Sequence, residues 1–242
     1  MNLAFTLLDW QASAPGLHQM ADWQRWASQP PQIDSAQPLA KCSQLPMMTA
    51  RRLNSGSRAA VDCGLALLQR QRVDALVFTS RHGELERNVR ILNALAQQQS
   101  LSPTDFAMSV HNAAVGSLTI AAGAPLVSTS LAAGVDSFQQ GMVEVAALHA
   151  AGYQQVLLVD FDGAIPEVYR AHIPDQVLFA AYAVALLLAP GENCRCQSAP
   201  ARAPRPAMLP QSLLFLHAHL ARLPAFTLAG DRLDWQWACR YE

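Results

Sequence analysis

Short, uninterrupted apolar runs alternate with helical stretches along most of this chain, and that alternation restricts the fold more than any other feature. The runs are Asn2–Trp10, Val73–Thr79, Pro125–Thr129, Gln155–Asp160 and Ala180–Leu188. A strand that is apolar at successive positions must be covered on both faces, because neighbouring side chains point to opposite sides of a sheet. Between the runs lie segments with apolar residues at helical spacing. These are Thr49–Arg72, with Leu53, Val61, Leu65 and Leu68; Glu84–Gln98, with Leu85, Val89, Leu92 and Leu95; Ala114–Gly123; and Ala132–Ala150. A short helix over Asp22–Ser28, helix-start signals at Ser102 and Thr104 around Pro103, and a last helix over Gln211–Arg222 complete the pattern. It predicts an α/β domain over residues 1–192 with a mostly parallel five-stranded sheet covered by helices on both faces. Residues 193–210, rich in Pro, Ala and Arg, read as a linker, and residues 211–242 as a C-terminal tail.

The composition narrows the surroundings. Hydrophobic residues make up 51% of the 242 and charged residues 14%, so a further apolar face, a subunit interface, is expected. The net charge is −1 and Lys41 is the only lysine, which excludes the clustered cations of a nucleic-acid binder. The longest apolar run, Ala180–Ala189, is too short for a bilayer span, which needs about 20 residues. MNLAFTLLDW lacks a basic leader and a small-residue cleavage site, so no signal peptide is read there. Five cysteines with uneven spacing fit free thiols in a cytoplasmic protein.

The stretch VSTSLAAGVDSF, Val127–Phe138, has the form of a nucleophile turn: a short strand, small polar residues, then a helix. A cysteine at a helix N-terminus has a lowered pKa, and the same backbone N–H groups can hold an oxyanion. Here the central residue is Leu131. Ser130, one residue earlier, reads as the helix N-cap, since no adjacent base is in view to activate it. Leu131 reads as an apolar plug whose burial stabilises by about 1.5–3 kcal/mol.

The segments LPMMTARRLNSGSRAAVDCGLALL, SPTDFAMSVHNAAVGSLTIAAGAPLVSTSLAAGVDSFQQGMVEVAALHAAG and AAYAVALLLAPG resemble the N-terminal half of a beta-ketoacyl synthase. The resemblance implies a thiolase-like half-fold. On the family's S-T-A-C-A-x-G turn, Ser128, Thr129, Ala132 and Gly134 match, Ser130 replaces an alanine and Leu131 replaces the cysteine. The half that carries the family's two catalytic histidines has no counterpart here. The chain resembles the short chain length factors that accompany ketosynthases making aryl polyenes or related polyenes. That likeness implies a non-catalytic subunit with no catalytic residue, cofactor or metal of its own. It would pair with a catalytic ketosynthase as a heterodimer or dimer of heterodimers, meet acyl carrier protein through that complex, and shape the acyl tunnel. By the same resemblance Leu126, Val127 and Ser128 lie at the dimer edge. Phe106, Met108, His111, Val115 and Leu118 are candidates for the tunnel's far wall; His111 beside Asn112 also reads as an ordinary hydrogen-bonded residue.

Two other readings stand beside this one. VLLVDFDGAI, ending in Asp160 and Asp162, resembles the motif of haloacid-dehalogenase-type phosphatases, which hold Mg²⁺; no lysine follows it, as that chemistry requires. A stand-alone homodimer that binds an acyl chain is the other. Cys194-x-Cys196 and His217-x-His219 do not have zinc-site spacing and read as surface thiols and a solvated helix.

Overall fold

The computed structural model describes residues 1–174, 176–201 and 208–241. A seven-stranded mixed sheet forms its centre. The strands are β1 (Asn2–Ser13), β2 (Ala75–Thr79), β3 (Val127–Leu131), β4 (Val156–Asp162), β5 (Tyr182–Pro200), β6 (Ala225–Ala229) and β7 (Leu233–Cys239). They lie in the order β3-β2-β4-β5-β7-β6, with β1 on the other side of β5. The β3–β2 and β2–β4 ladders are parallel; β1, β4 and β7 all pair antiparallel with β5, and β6 with β7.

The helices are α1 (Met20–Ala27), α2 (Met47–Ala50), α3 (Ser55–Arg70), α4 (Leu85–Ala96), α5 (Pro103–Ala107), α6 (Ala113–Ala122), α7 (Ser137–Ala150), α8 (Glu167–Arg170) and α9 (Gln211–Leu220). Every residue of β2 and β4 is buried, which is why these two strands carry no polar alternation. Leu76, Phe78, Leu157, Val159 and Phe161 face a core shared with α3 and α6. Val77, Val156 and Leu158 face the opposite core, with Phe138 and Met142 of α7 and Phe215 of α9. Helix α7 lies close on the sheet because Gly141 has no side chain: a Cβ there would come within 2.6 Å of Thr79 Cγ2.

The expected five-stranded, mostly parallel sheet is thus corrected to seven strands with two parallel ladders and four antiparallel ones. The linker expected over 193–210 is corrected too. Pairing of β5 with β1 passes from Leu188 and Ala189 directly to Cys194, so Pro190–Asn193 bulge out and the strand then resumes to Pro200. Pro190 has no N–H to offer a ladder, and a proline and a glycine side by side look like the end of a strand. Residues 202–207 of that segment lie outside the described residues. The tail is no appendage: α9 packs on the second core and β7 pairs with the distal half of β5, burying Trp235 and Trp237. Cys194 and Cys239, opposite each other in that ladder, are joined in a disulfide, so free thiols remain at Cys42, Cys63 and Cys196 alone. Cys194 and Cys196 are buried on the inner face of a strand, not surface thiols of a linker.

Candidate functional site

Parallel strands end together, and in such sheets the carboxyl ends of the strands form the place for a site. Here the register sets one row across the sheet: Leu131 of β3 lies opposite Thr79 of β2, and Thr79 opposite Asp160 of β4. Leu131 is half-buried against the α7-side core, and its carbonyl accepts the Ser80 N–H at 3.2 Å. The chain does not enter a helix at Ala132, as the spacing predicts. An exposed loop and a single 3₁₀ turn, Gly134–Asp136, come first, and α7 starts at Ser137. Gly134 takes φ +59°, a left-handed conformation that glycine adopts without strain. The Ser137 hydroxyl accepts the Ala133 N–H at 3.0 Å and donates to the Gly134 carbonyl at 2.8 Å. The role expected for Ser130, capping the helix, therefore falls to the loop. Ser130 sits inside β3 opposite Phe78, and its hydroxyl is buried with no hydrogen-bond partner among the described residues.

Asp136 closes the loop from behind. Its carboxylate accepts Gln211 Nε2 at 3.0 Å, Trp235 Nε1 at 3.0 Å and the Asp231 N–H at 2.8 Å. One side chain therefore fastens the turn to α9 and to the C-terminal hairpin.

Beyond Thr79 the row is acidic. Asp160 is only 3% exposed. Its Oδ1 accepts Thr79 Oγ1 at 2.6 Å, and its Oδ2 accepts Ser212 Oγ at 2.5 Å and Tyr182 OH at 3.1 Å. Burial pushes the Asp160 carboxyl up to about 6; the Ser212 and Thr79 hydroxyls oppose that rise and the neighbouring Asp162 adds to it. Asp162, also raised by burial, accepts Ser80 Oγ at 2.6 Å and the His82 N–H at 2.8 Å. A cavity of about 50 Å³ separates this pair from Gly134 and Ser137, room for little more than water. With both oxygens of Asp160 held by hydroxyl donors, it cannot attack a phosphate, and the phosphatase reading fails on geometry.

The wall candidates separate into two groups. Phe106 on α5 is 68% exposed, and Met108 packs partly against the α3-side core. Val115 and Leu118 are buried against α3, where Leu118 lies 3.1 Å from the place a Gly64 Cβ would take; their side chains fill this chain's own core. His111 bonds the Ser80 carbonyl through Nε2 at 3.1 Å and packs over Gly83, a connecting role between β2 and the segment before α6. The segment is anchored from beneath. Buried Arg87 pairs with Asp105 of α5 at 2.5 Å and with the Arg52 carbonyl at 2.7 Å, beside Glu84, which accepts Asn54 Nδ2 at 2.7 Å and the Ser57 hydroxyl. Burial raises the Glu84 carboxyl, against the pull of Ser57 and Arg87.

At the sheet's end, β3 has a neighbour on one side only among the described residues. Leu126 is half-buried against the α3-side core, whereas Val127 is 49% exposed and Ser128 is exposed. Ile120 on α6 is 83% exposed, and Leu92 and Leu95 of α4 also face outward.

The beta-ketoacyl synthase N-terminal domain, as a family, matches residues 23–238. The chain belongs to the beta-ketoacyl synthase family. This ketosynthase-family chain is 54% identical to a chain of the ketosynthase ApeO in complex with its chain length factor ApeC from Xenorhabdus doucetiae, over 98% of this chain and 99% of that one, with a TM-score of 0.94. The fold is shared with the ishigamide ketosynthase/chain length factor, at 11% identity, TM-score 0.64, and 81% and 67% coverage of the two chains. It is shared also with AntDE:AntF, a type II PKS acyl-carrier protein in complex with its ketosynthase bound to the hexaketide, at 13% identity, TM-score 0.60, and 83% and 70% coverage. No curated protein sequence matches the chain.

Among the described residues, no three of His, Cys, Asp and Glu are grouped so as to hold a metal, and no helix is long and apolar enough to cross a membrane. His217 bonds the Gln29 carbonyl at 2.7 Å, and His219 stacks on Phe215. Sequence reasoning about this ketosynthase-family turn missed Asp136, Thr79, Tyr182 and Ser212. Thr79 and Asp160 gave a signal, each a polar residue ending an apolar run; Ser212 and the partners of Asp136 were hidden in a segment that reads as a tail.

Proposed function

We propose that this chain is a chain length factor: a non-catalytic subunit that pairs with an active ketosynthase and bounds the tunnel in which an acyl chain grows on acyl carrier protein, in polyene and specifically aryl polyene biosynthesis. The observation that carries the reading is the 54% identity to a chain of the ApeO–ApeC complex over nearly the whole of both chains, so that the two have nearly equal length. Leu131 agrees with it. An aliphatic side chain at the end of β3 can neither attack a thioester nor carry an acyl group. The partner would supply the nucleophile and the histidines.

The edge of β3 and the apolar surface around it support pairing with another subunit. An unpaired strand edge presents backbone donors and acceptors to a partner strand. Exposed Val127, Ile120 and Phe106 would be covered in the complex. In this arrangement Phe106 and Met108 reach the partner's acyl cavity, while Val115 and Leu118 support them from behind.

The test is co-expression with the ketosynthase encoded nearest to this chain, followed by light scattering. A complex of defined stoichiometry, with the chain alone aggregating, is the expected result. A monodisperse chain that ignores the ketosynthase would sink the proposal, and a stable dimer of this chain alone would favour the acyl-binding homodimer instead. In the complex, Phe106→Ala and Met108→Ala should shift products to longer chains by mass spectrometry. Unchanged lengths in both variants would remove these residues from the wall.

A further inference from the structure

The disulfide between Cys194 and Cys239 lies at the end of the β5–β7 ladder, next to a cleft of about 340 Å³. Cys194 lines that cleft, together with Arg222, Arg240, His219 and Asn193. Cys239 does not line it. Both arginines are exposed at its rim; Arg222 also stacks over the Tyr241 ring at 5.5 Å. Burial and Arg222 hold the His219 imidazole in its neutral form over a wider pH range, so the positive charge comes from the arginines. The remaining cysteines are free thiols; half-buried Cys42 and buried Cys63 line a separate cleft with Lys41, Arg51 and Arg58. Cys63 and Cys196 are buried, and burial pushes the Cys196 thiol up to about 12 and raises that of Cys63 as well. The one sulfur pair joined in a disulfide is thus almost wholly buried, but Cys194 borders the cleft, where the arginines both attract an anion and stabilise a thiolate.

We propose that Cys194–Cys239 is a thiol-exchange site at which a small anionic thiol, of the glutathione class, reversibly opens the link between β5 and β7. The thiolate enters beside the arginines and attacks Cys194 Sγ. A mixed disulfide forms there as the Cys194–Cys239 bond breaks, and Cys239 leaves as a thiolate and takes up a proton. A second thiol attacks the mixed disulfide, releasing the oxidised small-molecule disulfide and leaving Cys194 reduced. Two thiols supply the two electrons. The opening is local, because Trp235 and Trp237 stay buried in the core and the rest of the ladder down to Pro200↔Leu233 needs no sulfur bridge. The proposal does not depend on the chain length factor reading.

The full chain, co-purified with its ketosynthase if it needs one to remain soluble, is equilibrated in mixtures of reduced and oxidised glutathione, then alkylated and analysed by mass spectrometry. Cys194 and Cys239 should become alkylated together as reduced glutathione increases, while Cys63 and Cys196 react only after denaturation. Cys239→Ser should trap glutathione on Cys194. Arg222→Gln with Arg240→Gln should slow the reaction with glutathione about three- to tenfold and that with 2-mercaptoethanol, whose thiolate carries less negative charge, by clearly less. Hydrogen exchange should rise over 238–241 on reduction and stay constant over 156–162. A pair that alkylates even in oxidised glutathione, or that stays bonded until the chain is denatured, overturns the proposal. So does an equal effect of the arginine variants on both thiols.

Discussion

Asp160 is the side chain whose chemistry departs furthest from its type. Its carboxyl titrates near 6 in the fold because burial penalises the anion more than three hydroxyl donors favour it. A carboxyl whose pKa is raised by folding stabilises the native state fully only below its unfolded value, and that contribution disappears as pH rises through about 6. Wild type should therefore lose about 1 kcal/mol relative to Asp160→Asn between pH 5 and pH 7, read from urea unfolding at the two pH values. A constant difference would mean that Asp160 is ionised throughout. Leu131 was legible as a missing nucleophile from its neighbours alone, since the small-residue frame of the turn survives around it. The cage on Asp160 was not, because its donors come from β2, β5 and α9, and no local pattern joins residues 22 to 81 positions apart.

At the scale of elements, strand and helix positions were largely visible in the sequence. β2 and β4 read correctly because both faces are buried and their apolar runs are unbroken. β5 was read as less than half its length, since the bulge at Pro190–Asn193 carries the residues of a turn. Helix α4 is amphipathic as its spacing predicts, yet Leu92 and Leu95 face solvent, so periodicity identified a helix whose apolar face is only partly covered by the described residues. The edge strand makes the sharper prediction. Val127→Lys adds a charge to an exposed position of β3, a device that protects natural sheet edges from pairing. It should lower co-purification with the ketosynthase tenfold or more, while the fraction that still co-purifies keeps the circular dichroism of the wild-type complex. Ile120→Glu on α6 serves as an independent probe of the same face. Full retention of the partner by both variants would move the interface elsewhere.

The whole molecule is one sheet held from both ends of the chain. β1 runs along all of β5, and α9, β6 and β7 complete the second core instead of trailing from it. Deleting residues 211–242 should therefore leave Phe138 and Met142 without their cover and yield a chain that loses near-ultraviolet dichroism or fails to remain in solution. A truncated chain that unfolds cooperatively would show that the last elements are dispensable. The surplus of apolar residues is then accounted for twice: part fills a sheet larger than the sequence suggested, and part lies exposed around β3.

The carboxylate of Asp136 has a consequence for the order of events during synthesis. Its three donors lie 75, 95 and 99 residues further along the chain. Contacts across such distances form late, after slower searches than local turns require. The turn that ends β3 is made early but cannot be fastened until Asp231 and Trp235 have left the ribosome. The edge of β3, proposed above as the docking surface, is thus backed by a turn that matures only after the C-terminal elements have folded onto it.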